Sequence, residues 1–430
     1  MELDKIIEQT ADPDATSNRL QALLDDELSA RIVNDFNDVQ KSGLIKILGI
    51  SRFLSNFLNR NPEAVSLIGT SYKAEDINTI SDVNELRLFK YRSLLQITWM
   101  DVCNTCPYET VLANLSHLAD TVIQVAHNLV AKDVKGFDYK SDIAIMALGK
   151  LGANELNYSS DVDILFVLQD SGDKKRHEMH KHYTQHIRRF CRLLTESTED
   201  GFLYRVDLNL RPWGRSAPLT FSLEEYEEYY QASKEAWERI AWLRGRFVAG
   251  SKELATEMIK NLKPFVYHKS LSPEDIERFF KIKRDMSAQR EKEGHWNVKL
   301  GTGGIRDIEF FVQMLQIING GHQPALQVTS TVEILKKLNH FGFINNEEAS
   351  ALRESYIFLR RLENRLQMID EQQTHQLPND KEKLKQIAKM MGYSGENIDE
   401  AYASFNNDLI LHQQIATKYF EILLTENAEH

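Results

Sequence analysis

The chain has 430 residues, of which 42% are hydrophobic and 27% charged, and this fits a globular protein of about two to four domains. The formal net charge of −11 argues against a general nucleic-acid binder, because a phosphate backbone is bound by a basic surface. An acidic N-terminal stretch, the lack of any apolar run of ~18 residues and only three cysteines predict a cytoplasmic protein with no membrane span.

The first part of the chain is predicted to be a helical domain covering residues 1–112. Its apolar residues recur every three or four positions, and no sustained alternation is present. Proline follows at Asn61-Pro62 and again at Cys106-Pro107, which predicts breaks between helices.

The pattern changes in residues 113–265, which we expect to form a mixed α/β catalytic domain. An amphipathic helix is predicted from Glu109 to Ala131. Strands are predicted at Ile143–Leu148, Val162–Leu168 and Leu203–Leu210, with a helix from about His177 to Thr195. In the third strand, Arg205, Asp207, Asn209 and Arg211 alternate with apolar residues and are predicted to form one polar face.

Residues 266–430 are predicted to be a second helical domain. A long aromatic helix is expected already from Leu223 to Gly250, followed by a charged helix over residues 272–292. Another helix follows Lys299, and the pattern stays helical to about Leu424 with a polar interruption at residues 372–380. The predicted fold is therefore mostly α, with helical domains on either side of a small α/β domain.

The strongest candidate site is a set of acids on two predicted strands. Asp161 and Asp163 are two residues apart, so on a strand they project from one face. With Asp207 on a neighbouring strand they could hold two Mg²⁺ ions, or Mn²⁺, for phosphoryl chemistry. The competing interpretation is a solvated strand end, but the apolar run ILFVL after the pair indicates a central strand.

Two glycine-rich stretches are weaker candidates. Gly149-Lys150-Leu151-Gly152 could bring backbone N–H groups and one cation to a phosphate, although alone it is more typical of a tight turn. GTGGIRDIEF, residues 301–310, could bind an anion at a helix start or could be a packed junction between domains. Its Arg306, Asp307 and Glu309 could reach a site.

Two further patterns are discounted as metal sites. Cys103 and Cys106 lack a second cysteine pair or a paired histidine motif. His177, His180, His182 and His186 lie among lysines and arginines that would repel a cation, so a solvated basic helix face is the better interpretation.

Four segments closely resemble one known family. They are GKLGANELNYSSDVDILF, DGFLYRVDLNLRPWGRSAPLTFS, WERIAWLRGRFVAG and KLGTGGIRDIEFFVQ. They are similar to glutamine synthetase adenylyltransferase, the bifunctional adenylyl-transferring and adenylyl-removing enzyme, which has two homologous nucleotidyltransferase halves of the DNA polymerase beta type. The wording of NYSSDVD, PFVYHKSLS and RRLENRLQMIDEQQTHQLP resembles the N-terminal, adenylyl-removing half.

The resemblance implies a reaction in which adenylylated glutamine synthetase and inorganic phosphate give glutamine synthetase and ADP. It implies that Asp161, Asp163 and Asp207 are catalytic metal ligands. It also implies partners, namely glutamine synthetase, the uridylylated PII signal protein, ATP or ADP, and the second half of the enzyme. Nucleotide or phosphate contacts are expected from Gly149, Lys150, Gly152, Ser160 and Arg211, with support from Glu155, Arg205, Lys299, Arg306, Asp307 and Glu309.

Two alternatives to adenylyl removal are kept. The same acids would serve an adenylyltransferase that uses ATP and releases pyrophosphate. A regulatory module that binds PII with weak catalysis is the other alternative. The product distinguishes the two reactions, since ADP indicates adenylyl removal and pyrophosphate indicates adenylyl transfer.

Overall fold

The computed structural model describes residues 3–73, 79–131, 138–169, 173–199, 201–232, 235–267, 296–368 and 373–425, with a few residues between 274 and 285. Helices dominate the described chain, and a small mixed sheet lies between the two helical parts. No described helix combines the length and the apolar character that crossing a membrane requires.

The N-terminal part consists of α1 Leu3–Glu8, α2 Pro13–Leu24, α3 Glu27–Asn34, α4 Asp38–Ile50, α5 Arg52–Arg60, α6 Val83–Val102 and α7 Tyr108–Ala131, with a 3₁₀ turn at Pro62–Leu67. Side-chain caps start most of these helices, and Asp12, Asp26, Ser51 and Asp82 each accept a backbone N–H of the first turn. The predicted break after Asn61 coincides with the end of α5.

The central part consists of α8 Tyr139–Asp142, β1 Ile143–Ala147, α9 Gly149–Gly152, β2 Val162–Leu168, α10 Asp173–Thr195, β3 Val206–Asp207, β4 Phe221–Ser222, α11 Leu223–Ala232, α12 Ala236–Trp242, β5 Arg246–Gly250 and α13 Lys252–Val266. Strand β1 pairs antiparallel with β2 on one side and with β5 on the other. Strand β2 pairs in parallel with β3 near its start and with β4 near its end.

The C-terminal part consists of α14 Ile305–Gly320, α15 Thr331–His340, α16 Asn346–Met368, α17 Lys381–Met390 and α18 Ile398–Thr425. Short 3₁₀ turns also occur at Gly214–Ser216 and Pro324–Leu326. The predicted polar interruption falls between α16 and α17.

Both faces of the sheet are buried, and each faces a different set of helices. Ile143, Ile145 and Ala147 of β1 belong to the hydrophobic core shared with the N-terminal helices. Ala144 and Met146 belong to a second core shared with the C-terminal helices. This explains why β1 is a continuous apolar run rather than an alternating one.

Two sequence predictions about the central part are wrong. The predicted strand Leu203–Leu210 is a strand only at Val206–Asp207, because the chain then turns and the backbone N–H of Asn209 bonds to Oδ1 of Asp207 at 2.7 Å. The predicted single helix from Leu223 to Gly250 is instead two helices followed by strand β5. Gly250, with φ of +80°, ends that strand.

Most of the charged helix predicted for residues 272–292 lies outside the described residues. The two other predicted strands, the helix ending at Ala131 and the helix following the GTGG stretch are present.

Candidate functional site

The sheet brings two of the predicted acids side by side. In the parallel pairing of β2 with β3, Asp163 is the direct neighbour of Asp207. Asp161 lies just before β2, and its Oδ1 accepts a hydrogen bond from Nε of Arg205 at 2.6 Å. The three carboxylates therefore lie at one end of β2, with Asp161 turned towards an arginine.

Asp163 and Asp207 repel each other. They are direct neighbours on adjacent strands, whose backbones lie ≈4.8 Å apart, so their like charges interact unfavourably. Burial, together with the nearby Asp207 and Asp161, raises the pKa of Asp163 to about 6. A divalent cation would relieve this repulsion, so the pair fits an oxygen-liganded Mg²⁺ or Mn²⁺.

The third ligand is not in place. Among the residues that the structure describes, no group of three acidic, histidine or cysteine side chains forms a ready-made cation site. The reason is local, because Arg205 holds Asp161 and the backbone of Asn209 holds one oxygen of Asp207. Because Arg205 binds Oδ1, Asp161 could join a cation through Oδ2 while keeping this contact, or through both oxygens by leaving Arg205.

A glycine is required opposite Asp163. Gly149 has φ of +55°, and a Cβ at this position would lie 2.1 Å from Oδ2 of Asp163. The stretch Gly149–Gly152 forms a single helical turn, and the backbone N–H of Leu148 bonds to the carbonyl of Asp163 at 2.9 Å. The glycine turn and the acid-bearing strand are therefore one packed unit.

A cavity of about 340 Å³ opens beside these acids. Besides the three aspartates, six of the predicted residues line it. They are Gly149, Lys150, Ser160, Lys299, Arg306 and Glu309. The cavity thus combines carboxylates with the cations Lys150, Lys299 and Arg306, which are the charges that a metal ion and phosphate groups need together.

Lys150, in the glycine turn, lines the cavity and forms an ion pair with a buried glutamate. Its Nζ lies 2.7 Å from Oε1 of Glu363, which is on α16. Burial lowers the pKa of Lys150 to about 7, although Glu363 opposes that shift. Burial alone would raise the pKa of Glu363, but Lys150, His375 and Arg360 hold it well below its usual value.

Glu309 is paired on the opposite wall. Its Oε1 accepts a hydrogen bond from Nη1 of Arg244 at 3.1 Å, and Nε of Arg306 lies 3.9 Å from its Oε2. Burial would raise the pKa of Glu309, but Arg244, Arg306, Arg360 and Lys150 together outweigh it and lower the pKa to about 2. Arg244 also donates to the hydroxyl of Thr331 at 3.0 Å, so this wall is fixed to α15.

Three other predicted residues are bound up in packing outside the cavity. A Cβ on Gly152 would lie 1.9 Å from the carbonyl of Arg244, so this glycine permits a close backbone approach. Asp307 accepts the backbone N–H of Gly303 at 2.8 Å and stabilises the start of α14. Glu155 accepts hydrogen bonds from three hydroxyl groups, those of Ser330, Thr331 and Tyr356.

The side chain of Arg211 is bound to the loop that follows β3. Its guanidinium donates to four backbone carbonyls of the loop after β3, those of Leu208, Arg215, Ala217 and Pro218. These bonds curl the loop and direct the side chain into it rather than towards Asp163. This favours a loop-stabilising role over the predicted phosphate contact.

Sequence reasoning missed one face of α16. Arg360, Glu363, Asn364 and Gln367 lie three or four residues apart, so they share a face, and all are buried. Arg360 bonds to Oδ1 of Asn157 at 2.6 Å, Asn364 accepts the N–H of Tyr158, and Gln367 accepts the N–H of Ser159. This face holds the whole loop from the glycine turn to Asp161. Polar residues at helical spacing among apolar ones were the only signal.

The comparison with protein families agrees with this site. A family described as glutamate-ammonia ligase adenylyltransferase matches residues 42–261, which include the glycine turn and all three acids. The chain belongs to this family. A second family, described as GlnD PII-uridylyltransferase, matches residues 278–424, which include α16.

Curated relatives carry a related name. A bifunctional glutamine synthetase adenylyltransferase/adenylyl-removing enzyme of Hahella chejuensis (strain KCTC 2396) is 33% identical over 383 residues, covering 86% of this chain and 38% of the relative. The enzyme of the same name in Psychromonas ingrahamii (strain DSM 17664 / CCUG 51855 / 37) is 33% identical over 417 residues, covering 89% and 44% respectively. The chain therefore spans about two fifths of the length of these relatives.

Proposed function

We propose that this chain removes AMP from an adenylylated tyrosine of glutamine synthetase by phosphorolysis, giving ADP and the unmodified tyrosine. The observation that carries the proposal is a cavity lined by the neighbouring acids Asp163 and Asp207 together with Lys150, Lys299 and Arg306. The named activities of the family's curated relatives support the same substrate.

We further propose that the central domain is a nucleotidyltransferase domain of the DNA polymerase beta type. Three features in chain order support this assignment. They are the glycine turn after β1, the acid-x-acid pair at the start of β2 and the third acid on β3.

In the proposed reaction an oxygen of inorganic phosphate forms a bond to the phosphorus of the AMP group, and the bond from that phosphorus to the tyrosyl oxygen breaks. Phosphate is anionic at neutral pH and the leaving phenol has a parent pKa of ~10, so no general base is required. Lys150, Lys299 and Arg306 attract the phosphate oxygens and orient them for in-line attack. Mg²⁺ or Mn²⁺ held by Asp163 and Asp207, and by Asp161 if it turns, would neutralise charge on the transferred group.

The direction of transfer is supported by one segment of the sequence. The sequence QQTHQLP is typical of the adenylyl-removing half of the resembled enzyme, and one of its described residues reaches the cavity. Gln373 lines the cavity, and Nδ1 of His375 lies 2.8 Å from Oε1 of Glu363. His375, which belongs to this segment, therefore contacts the same glutamate oxygen as Lys150, the proposed phosphate-binding lysine.

The partners follow as part of the proposal. The substrate is adenylylated glutamine synthetase, and the uridylylated PII signal protein is the proposed activator. The adenylyl-transferring half is the proposed second unit of a longer enzyme, given the length that the curated relatives have beyond the matched part.

The nucleotide product tests the proposal. The chain is incubated with adenylylated glutamine synthetase, Mg²⁺, inorganic phosphate and uridylylated PII, and ADP is quantified. We expect one ADP for each tyrosine side chain of glutamine synthetase that loses its AMP, and a loss of at least about 100-fold in Asp163→Asn. Release of AMP alone, or equal rates in the wild type and Asp163→Asn, contradicts the proposal. Pyrophosphate from ATP and unmodified glutamine synthetase supports the opposite direction, and PII binding without turnover supports a regulatory module.

A further inference from the structure

We propose that Glu363 is a positioning residue that holds the Lys150 ammonium group at the cavity wall, where Lys150 binds a phosphoryl oxygen. The inference rests on the proposed function and deepens it. The phosphoryl oxygen belongs either to inorganic phosphate or to the nucleotide, and the experiment below separates these two sources.

Lys150 and Glu363 form a close ion pair. Lys150 Nζ and Glu363 Oε1 are 2.7 Å apart, the Glu363 side chain is 0% exposed and that of Lys150 is 11% exposed. The small exposed part of Lys150 lines the cavity with Asp163 and Asp207. The ion pair therefore has one partner at the cavity and the other inside the protein.

Two further side chains lie close to the carboxylate of Glu363. Nε of Arg360 lies 3.3 Å from Glu363 Oε2, and Nδ1 of His375 lies 2.8 Å from Oε1. The helix that carries Glu363 is fixed to the loop after the glycine turn through Asn364 and Gln367. Each oxygen of Glu363 thus has a guanidinium or an imidazole at ion-pair distance, although neither of these two contacts meets hydrogen-bond geometry. Together with the fixed helix, these neighbours supply the support that a preorganised binding group needs.

The Lys150 ammonium group has more N–H donors than its bond to Glu363 uses. An ammonium group has three N–H donors, and Glu363 takes one of them. The others remain for a ligand in the cavity, as far as the described residues show. A free lysine side chain loses considerable rotamer freedom when a ligand fixes it, so prior fixation by Glu363 improves binding by up to about 30-fold.

The test is a double-mutant cycle with Glu363→Gln, Lys150→Met and the double variant. If Glu363 acts through Lys150, the double variant is no worse than Lys150→Met in kcat/KM. We expect Glu363→Gln to raise the KM for phosphate or the Kd for AMP about 10- to 30-fold, with kcat changed less. Because the attacking phosphate becomes the β-phosphate of ADP, AMP is the probe that carries the nucleotide phosphate alone. A change in KM for phosphate alone assigns the oxygen to the nucleophile, and a change in Kd for AMP alone assigns it to the nucleotide. Glu363→Asp should restore part of the loss.

A matched control separates positioning from stability. Arg365, on the same helix as Glu363, forms another buried ion pair with Asp101 of α6, with Nη1 and Oδ2 2.6 Å apart, and neither residue lines this cavity. Asp101→Asn should lower the unfolding midpoint without the KM or Kd change. If Glu363→Gln changes only the midpoint, as this control does, the inference is overturned.

Failure of the inference and failure of the proposed function give different results. If the wild type makes no ADP, the proposed function fails, and the cycle is then read in the Kd for AMP and for inorganic phosphate by calorimetry. If the wild type makes ADP and the two single losses multiply in the double variant, the inference fails while the function stands.

Discussion

Gly149 determines how closely the glycine turn approaches the acids. Its φ of +55° lies in the left-handed region, and the site of a Cβ is within 2.1 Å of Oδ2 of Asp163. We expect Gly149→Ala to cost about 1–2 kcal/mol of unfolding free energy from backbone strain alone. Displacement of Asp163 should in addition lower ADP formation at least about tenfold. Denaturant unfolding and the product assay measure the two effects separately.

Gly342 provides the control for this prediction. It has φ of +77°, and a Cβ there would meet no atom within 4 Å. Gly342→Ala should therefore show the backbone cost and keep full activity. Equal activity losses in the two variants would mean that the contact with Asp163 is irrelevant.

At the residue scale, the sequence was informative where the chemistry is local. The two-residue spacing of Asp161 and Asp163 and the apolar run after them were enough to predict an acid-bearing central strand. Arg211 shows the limit, because its alternation with apolar residues looked like a strand face. Its actual partners are loop carbonyls, and a turn that depends on one side chain bonding to four carbonyls leaves no periodic signal.

At the element scale, the difficulty was to distinguish strands from helices in short apolar runs. Strands β1 and β2 were predictable because each is a run of five or more apolar residues bounded by polar or glycine residues. Strand β5, with the sequence RFVAG, directly follows an aromatic helix and has no strong turn signal before it. Only its pairing with β1 makes it a strand, and a partner 100 residues away cannot be found by periodicity.

Helix α16 gives the prediction that belongs to this scale. Arg360 is fully buried and bonds to the hydroxyl of Tyr356, to Asn157 and to the carbonyl of Glu155. Arg360→Met leaves Glu155 and Glu363 buried without this cation, so we expect a loss of about 3–5 kcal/mol in unfolding free energy. Chemical denaturation followed by circular dichroism measures the loss.

The adjacent arginine is the comparison. Arg361 is half-buried and lies over the ring of Tyr108, with its guanidinium carbon 4.8 Å from the ring centre. Such a cation–π contact contributes about 0.5–1 kcal/mol, so Arg361→Met should have a much smaller effect. Equal losses in the two variants would show that α16 does not stabilise the loop through Arg360.

At the scale of the whole molecule, the site depends on contacts between distant parts of the chain. Asp101 of α6 pairs with Arg365, and the hydroxyl of Tyr108 accepts a hydrogen bond from Asn364 at 2.6 Å. Both contacts cross from the N-terminal helices to α16, which also holds Lys150. The sheet with the acids is thus enclosed on one side by each helical part, and α16 connects the two.

A group of stacked rings between α7, α8 and α10 links the stability of this core to pH. The ring of His186 stacks on that of Tyr139, with centroids 3.8 Å apart, and His127 bonds to the carbonyl of Tyr139 at 3.1 Å. Burial lowers the pKa of His127 to about 4, and burial with His127, His182 and Arg189 lowers that of His186 to about 3.

Protonation of these two histidines should therefore destabilise the protein in acid. Because the unfolded histidines have a pKa near 6.5, they bind more protons in the unfolded than in the folded state between pH 6.5 and about 3 to 4. Their contribution to stability must fall as the pH drops through this window, by up to about 1.4 kcal/mol per pH unit for each histidine. We expect the two histidines to contribute a loss of about 3 kcal/mol between pH 6.5 and 5, measured by denaturant unfolding at each pH. Asp163, whose pKa is raised to about 6, has the opposite sign and makes the net loss smaller. His186→Phe keeps the stacked ring, removes one titrating group and should remove about half of the histidine contribution. His340→Phe, at an exposed position of α15, should leave the slope unchanged. A slope that His186→Phe does not alter would place the acid sensitivity outside this ring cluster.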